Sequence, residues 1–195
     1  MCIPIGIDLM SSAMDAISAA SHASSRLSCG ADIVIQSLHK TLPSLTSTAC
    51  VHLGKAFAET PQAEEFRRAM PMLSTSSPSY LLISSMDSCT ALLCDRGKEI
   101  LSSWMEELKH FYSRVDGLKH LSVRDPFKDK ATDPSKIIIS GMSGGRLADI
   151  LRDQYNIEPE MAAPGYVIAM TGAGDTRETL DALADALIDT DLHMT

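Results

Sequence analysis

A lysine that follows a histidine, stands among hydroxyls and comes just after an apolar run can do specific chemistry, and Lys40 is such a lysine. The surrounding stretch, Gly30 to Gly54, reads GADIVIQSLHKTLPSLTSTACVHLG. Ile33, Val34 and Ile35 are β-branched and are entered through Gly30, Ala31 and Asp32, so they predict a buried strand. That strand delivers Ser37, His39 and Lys40 into a Thr/Ser/Pro-rich turn, and a second apolar run, Ala49 to Leu53, follows. Desolvation beside a buried strand lowers the pKa of an amine, and the neutral amine can form a Schiff base with an aldehyde. Ser37, His39 and the hydroxyls after them could hold a phosphate nearby. An aldehyde cofactor that carries a phosphate, pyridoxal 5'-phosphate, needs this combination. Short motifs of this kind also arise by chance, and in that case Lys40 is a solvated loop lysine and Ser37 and Thr41 are turn formers.

The elements around this turn follow from periodicity and capping. Thr60-Pro61 predicts a helix through about Met70, with Pro61 near its first position and Glu64 and Glu65 matched to the helix dipole. The Ser/Thr-rich segment Leu73 to Tyr80 reads as a turn and helix cap before the next helix. From Ser79 to about Val115, Leu81, Leu82, Met86, Ile100, Trp104, Leu108 and Phe111 recur at helical spacing, with a break or kink expected at Arg96-Gly97. Beyond residue 116 the pattern is α/β. Strands are expected at Leu118–Val123, Ile137–Ile139 and Tyr166–Met170, a loop entering an amphipathic helix over Gly141 to Tyr155, and a helix from Asp175 to Ile188 capped by Asp175 or Thr176. The glycines Gly141, Gly144 and Gly145 could bind an anion at a helix N-terminus, but a helix-entry turn is the commoner use, and the same holds for Gly172 and Gly174.

Composition narrows the partners. With 195 residues the chain can bury one good core or two small ones. A net charge of −8 and a pI near 5.1 speak against a nucleic-acid or anionic-membrane partner. The five cysteines (Cys2, Cys29, Cys50, Cys89, Cys94) are scattered, odd in number and without metal-ligand spacing, which suggests reduced thiols. The histidines other than His39 lack a partner at metal spacing, so no metal site is expected. No apolar run is long enough to span a bilayer, and the MCIPIGIDLM start has neither a basic flank nor a cleavage site, so the expected location is the cytoplasm.

The stretch from Gly30 to Leu53 closely resembles the pyridoxal-phosphate segment of the Orn/Lys/Arg decarboxylase family. SSPSYLLISSMD (Ser76 to Asp87) and GGRLADILRDQYNIEPEMA (Gly144 to Ala162) resemble the same family in the same order. The resemblance spans residues 24 to 195. It implies the aspartate-aminotransferase fold, an α/β architecture in which residues 30–95 form the later part of the large domain. Residues 96–115 would then be a linking helix and 116–195 a small C-terminal domain. It also implies that Lys40 bears the cofactor, that His39 and Ser37 lie at its phosphate, and that Thr75, with Ser76 beside it, reaches the phosphate from a partner subunit. A homodimer or larger oligomer follows. The implied reaction is decarboxylation of lysine, arginine or ornithine to the corresponding amine.

Residues 1–29 depart from the family. The Asp-Glu-Ala-His-Gly-like stretch that supplies a carboxylate to the cofactor ring is missing, and Asp8 has the wrong neighbours to replace it. A shifted reading frame before about Ser24 would account for the departure. Without that carboxylate and the family's first half, the expectation is a truncated decarboxylase inactive alone. The alternative is a non-catalytic remnant that at most associates with an intact homologue.

Overall fold

The structure is a computed structural model that describes residues 27–129 and 132–194. Asp8 and the segment assigned to a shifted frame lie outside the described residues. The chain divides into two compact units, the first ending at Leu101 and the second starting at Ser102.

In the first unit, β1 (Ile33–Ser37) runs directly into a one-turn helix, α1 (Leu38–Thr41), and pairs antiparallel with β2 (Ala49–Leu53). The register sets Val34 against His52 and Gln36 against Cys50. Those residues lie on the covered face of the ribbon. The expected burial of all three residues of the Ile33–Ile35 run is corrected here, since Ile33 is 37% and Ile35 75% exposed. A strand apolar on both faces suits the middle of a sheet covered on both sides. In a two-stranded ribbon only one face is packed, so the other isoleucines stay at the surface.

After the short helix α2 (Lys55–Ala58), α3 spans Pro61–Leu73. It starts as expected, with Thr60 accepting from the Ala63 N–H and Pro61 in the first turn. Its end passes the expected Met70, because Pro71 falls in the last turn and forfeits one backbone bond rather than several. The next helix, α4 (Tyr80–Val115), is continuous through Arg96-Gly97. A single helical glycine costs about 1 kcal/mol. Packing of Leu93 on one side and Leu108 on the other outweighs that cost, and Arg96 pairs with Glu99 across the position at 2.7 Å. The core of the first unit joins Leu38 and Leu42 to Cys50 of β2 and to Cys89 and Leu93 of α4.

The second unit holds an antiparallel sheet of β3 (Ser122–Val123), β4 (Lys136–Ser140), β5 (Met161–Ala163) and β6 (Tyr166–Met170) in the order β3-β4-β6-β5. Alternation on β4 and β6 sends Ile137, Ile139, Val167 and Ala169 into the core. There they meet Leu147 and Leu151 of α5 (Gly144–Tyr155), Leu183 and Leu187 of α6 (Arg177–Leu192), and Leu108, Phe111 and Val115 of α4. The strand expected from Leu118 shrinks to Ser122–Val123. The backbone N–H groups of Lys119, His120 and Leu121 donate to the Asp191 carboxylate, not to a neighbouring strand.

The last helix starts at Arg177 and takes Thr176, not Asp175, as its cap. Thr176 and Thr179 form a reciprocal capping box, and Asp175 instead accepts from the Gly172 N–H at 2.8 Å. Thr176→Ala is expected to cost about 1 kcal/mol. The shift of the urea midpoint followed by the fluorescence of Trp104, the chain's one tryptophan, measures it. Its Nε1–H donates to Thr171 Oγ1 at 2.9 Å inside this unit. No described helix is long and apolar enough to cross a membrane.

Candidate functional site

Ser37, His39 and Lys40 occupy the junction between β1 and α1, where an extended chain tightens into a single helical turn. Leu38 between them is fully buried and anchors the junction, while Ser37 and His39 are half-buried and Lys40 is exposed. The burial that the sequence reading invoked to activate Lys40 is therefore absent among the described residues. The residue instead lies at the surface, two positions after the buried Leu38.

His39 is fixed more firmly. Its Nδ1 lies 2.8 Å from the Thr48 carbonyl oxygen, which also accepts from the Leu38 N–H at 3.0 Å. A carbonyl has no proton to offer, so Nδ1–H is the donor and the ring presents Nε2 as its remaining polar atom. Thr48 is 2% exposed. Its hydroxyl donates to Ser44 Oγ and to the Leu45 carbonyl, both at 2.8 Å. Ser85 of α4 completes the set: its Oγ accepts from the Leu45 N–H at 2.7 Å and lies 3.2 Å from Ser44 Oγ. Sequence reasoning missed these hydroxyls. Ser44 and Thr48 carry a signal in their i, i+4 spacing within the turn, but Ser85 carries none, because it arrives from a helix 40 residues later.

On the covered face of the ribbon, His52 Nε2 donates to Gln36 Oε1 at 2.9 Å, and burial lowers the His52 pKa. That ring is neutral and structural, and it takes no part in the Lys40 turn.

Thr75 and Ser76 lie in the connection between α3 and α4 and are both exposed. Thr75 Oγ1 accepts from the Ser77 N–H at 3.1 Å in a local turn, so its hydroxyl shapes the loop as the plain reading of this segment expects. Met72, Leu73, Tyr80 and Leu81 around it are each more than two-thirds exposed.

A phosphate-bearing aldehyde needs an accessible primary amine, a hydroxyl and a second donor close by. Lys40 and Ser37 supply the first two at a strand end and the single helical turn after it, and His39 Nε2 becomes the second donor when the ring is protonated, so the donor set fits pyridoxal 5'-phosphate.

The family described as "Orn/Lys/Arg decarboxylase, major domain" matches residues 8–160. The match starts ahead of residue 24, where the sequence reading begins its resemblance, and stops short of the C-terminus. The chain is 28% identical over 174 residues to a protein of Bacillus cereus named arginine decarboxylase, covering 85% of this chain and 37% of that protein. It is 32% identical over 158 residues to a Bacillus subtilis protein named YaaO, described as uncharacterized, covering 78% of this chain and 32% of that protein. It thus spans about a third of the length of the curated relatives it matches. Among solved structures it is similar to Escherichia coli constitutive lysine decarboxylase, with a TM-score of 0.66 at 22% identity over 82% of this chain and 28% of that one. It is also similar to an alanine–glyoxylate aminotransferase from Nostoc sp., with a TM-score of 0.60 at 15% identity over 85% of this chain and 49% of that one. At these identities the likeness is one of fold, and it is the fold that the sequence reading expects.

Proposed function

We propose, from the premise that this chain belongs to the Orn/Lys/Arg decarboxylase family, that it carries the lysine and phosphate-side contacts of a pyridoxal-phosphate-dependent decarboxylase of basic amino acids. The observation that carries the reading is the β1–α1 junction, which sets Ser37, His39 and Lys40 together with Lys40 at the surface. When bound, the cofactor supplies an aldehyde for the lysine amine and an electron-poor ring that accepts the electron pair left when carbon dioxide departs.

The chain's own residues would hold and orient it. Lys40 offers the amine, Ser37 donates its hydroxyl to the phosphate, and His39, held by its Nδ1–H on Thr48, donates from Nε2 when the ring is protonated. Thr75 and Ser76 would reach the phosphate from a second copy of the chain, so a homodimer is the minimum unit. The exposed Met72, Leu73, Tyr80 and Leu81 beside them are suited to burial in such a contact. Four curated relatives named arginine decarboxylase make arginine the first substrate to test, with lysine and ornithine after it.

A second reading has its own support. Among the described residues, the exposure of Lys40, Ile33 and Ile35 leaves the junction without the walls that desolvate a reactive amine, which favours a non-catalytic chain that at most associates with an intact homologue. One experiment separates the two. The purified chain is incubated with pyridoxal 5'-phosphate, reduced with borohydride and mapped by peptide mass. The cofactor reading expects a pyridoxyl group fixed on Lys40 ahead of other lysines and absent in Lys40→Ala. Labelling spread over surface lysines, unchanged by that substitution, would leave the second reading standing.

A further inference from the structure

We infer that Ser85 is a positioning residue for this site, acting through Ser44 and Thr48 to hold the His39 ring with its proton on Nδ1. The inference rests on the reading of the Lys40 turn as the cofactor site. Thr48 gives one carbonyl oxygen to two donors, the Leu38 N–H and His39 Nδ1, so its position sets both the start of α1 and the orientation of the imidazole. The donors of Thr48 itself bond locally. Its N–H donates to the Leu45 carbonyl at 3.1 Å, and its hydroxyl donates to that carbonyl and to Ser44 Oγ. These bonds fix Thr48 to Ser44 and Leu45, so whatever places those two places Thr48.

Ser85 does so from outside the turn. It accepts the Leu45 N–H at 2.7 Å and shares a second hydrogen bond with Ser44 Oγ at 3.2 Å. The Ser44 hydroxyl and the Leu45 backbone are thereby tied to α4, a long helix with Cys89 and Leu93 buried in the same core as Leu38. A site held by a packed helix keeps its geometry better than one held by a loop. Fixing Nδ1–H inward leaves Nε2 as the atom directed away from Thr48, much as a carbonyl behind a metal-bound histidine sets its tautomer. The Leu45–Ser85 contact is exposed, so water can replace it on the backbone but cannot reproduce its direction.

The test reads the ring directly. In the full chain labelled with nitrogen-15, at about pH 8, above the ordinary histidine range, the His39 nitrogen shifts are assigned by comparison with His39→Gln. The wild type is expected to show Nδ1 protonated and Nε2 as the lone-pair nitrogen. Ser85→Ala is expected to move both shifts toward a mixture of tautomers, and Ser85→Thr, which keeps the oxygen, to restore them. Half-saturation of Lys40 labelling by pyridoxal 5'-phosphate is expected to rise about tenfold in Ser85→Ala, the lower end of the usual effect of losing an outer-shell partner. A wild-type ring protonated on Nε2 would overturn the inference without any variant having to fold. So would ring shifts or half-saturation indifferent to Ser85→Ala. Absence of Lys40 labelling in the wild type sinks the cofactor reading instead, and the ring shifts still decide whether Ser85 holds His39.

Discussion

Replacing Asp191 by alanine is expected to destabilise the second unit by about 3–5 kcal/mol, because one side chain satisfies three backbone donors. Its Oδ2 accepts from the Lys119 N–H at 2.8 Å, and its Oδ1 accepts from His120 at 2.8 Å and Leu121 at 2.7 Å. The carboxylate is 5% exposed and stands in the last turn of α6, where the helix dipole disfavours a negative charge. It persists there because the loop before β3 turns all three N–H groups toward it. Removing it leaves those donors facing a small hole. Lys119 and His120 are exposed enough for water to take over part of the loss, whereas Leu121 is 3% exposed and is not. Asp191→Asn keeps one acceptor oxygen but sets its amide against an N–H, so its loss is expected to fall between wild type and alanine. The unfolding midpoint in urea, read through Trp104, measures all three proteins.

The pH dependence has a definite sign. Burial by itself raises the Asp191 pKa, but the three backbone donors outweigh it and hold the carboxyl below its usual range. A group depressed in the folded state contributes its stability above the unfolded pKa, about 3.9 for aspartate, and loses it as pH falls through the folded value. The gap between wild type and Asp191→Ala is therefore full at neutral pH and narrows only below about pH 4. A gap that stays constant into acid, or one below about 1 kcal/mol at pH 7, would mean the three bonds do not hold the loop.

Local pattern announced what local forces decide. The Thr60-Pro61 start of α3, the helical spacing from Leu81 to Phe111 and the alternation on β4 and β6 are each visible within a few residues, and the structure has them. The Ser37-His39-Lys40 triplet was legible for the same reason, since a strand-to-helix junction brings consecutive residues together. What stayed hidden depends on partners far along the chain. The strand expected from Leu118 is cut short by a carboxylate 70 residues later. The hydroxyl that ties down the Leu42–Thr48 turn comes from α4. Ile33 and Ile35 read as buried because their pattern is that of a strand covered on both faces, and among the described residues one face has no cover. Apolar character reports what a strand is suited to, while exposure depends on what is packed against it.

Adjacent glycines at the start of α5 are expected to respond in opposite ways, and the contrast decides what their motif is for. A Cβ on Gly144 would lie 2.1 Å from the Ala163 carbonyl oxygen and 2.2 Å from that of Tyr166. Both are backbone atoms of the β5–β6 hairpin, so neither can rotate aside, and the helix would have to lift off the sheet. The expected cost of Gly144→Ala is about 4 kcal/mol, at the upper end of overpacking effects. The nearest atom to a Cβ on Gly145 is Ser143 Oγ at 4.0 Å, which is open space. Gly145→Ala is expected to be neutral or stabilising by up to about 1 kcal/mol, since alanine restricts the unfolded chain and favours the helix. An anion cradle at this helix start would need both glycines to leave their N–H groups accessible. The Gly144 N–H instead donates to the Pro164 carbonyl at 3.3 Å, so this glycine permits close packing of helix on hairpin and binds nothing. Unfolding midpoints of the two variants, followed through Trp104, check the pair. Equal losses in both would point back to a role for the loop itself, and a large loss at Gly144 alone makes the motif a helix entry shaped by the hairpin beneath it.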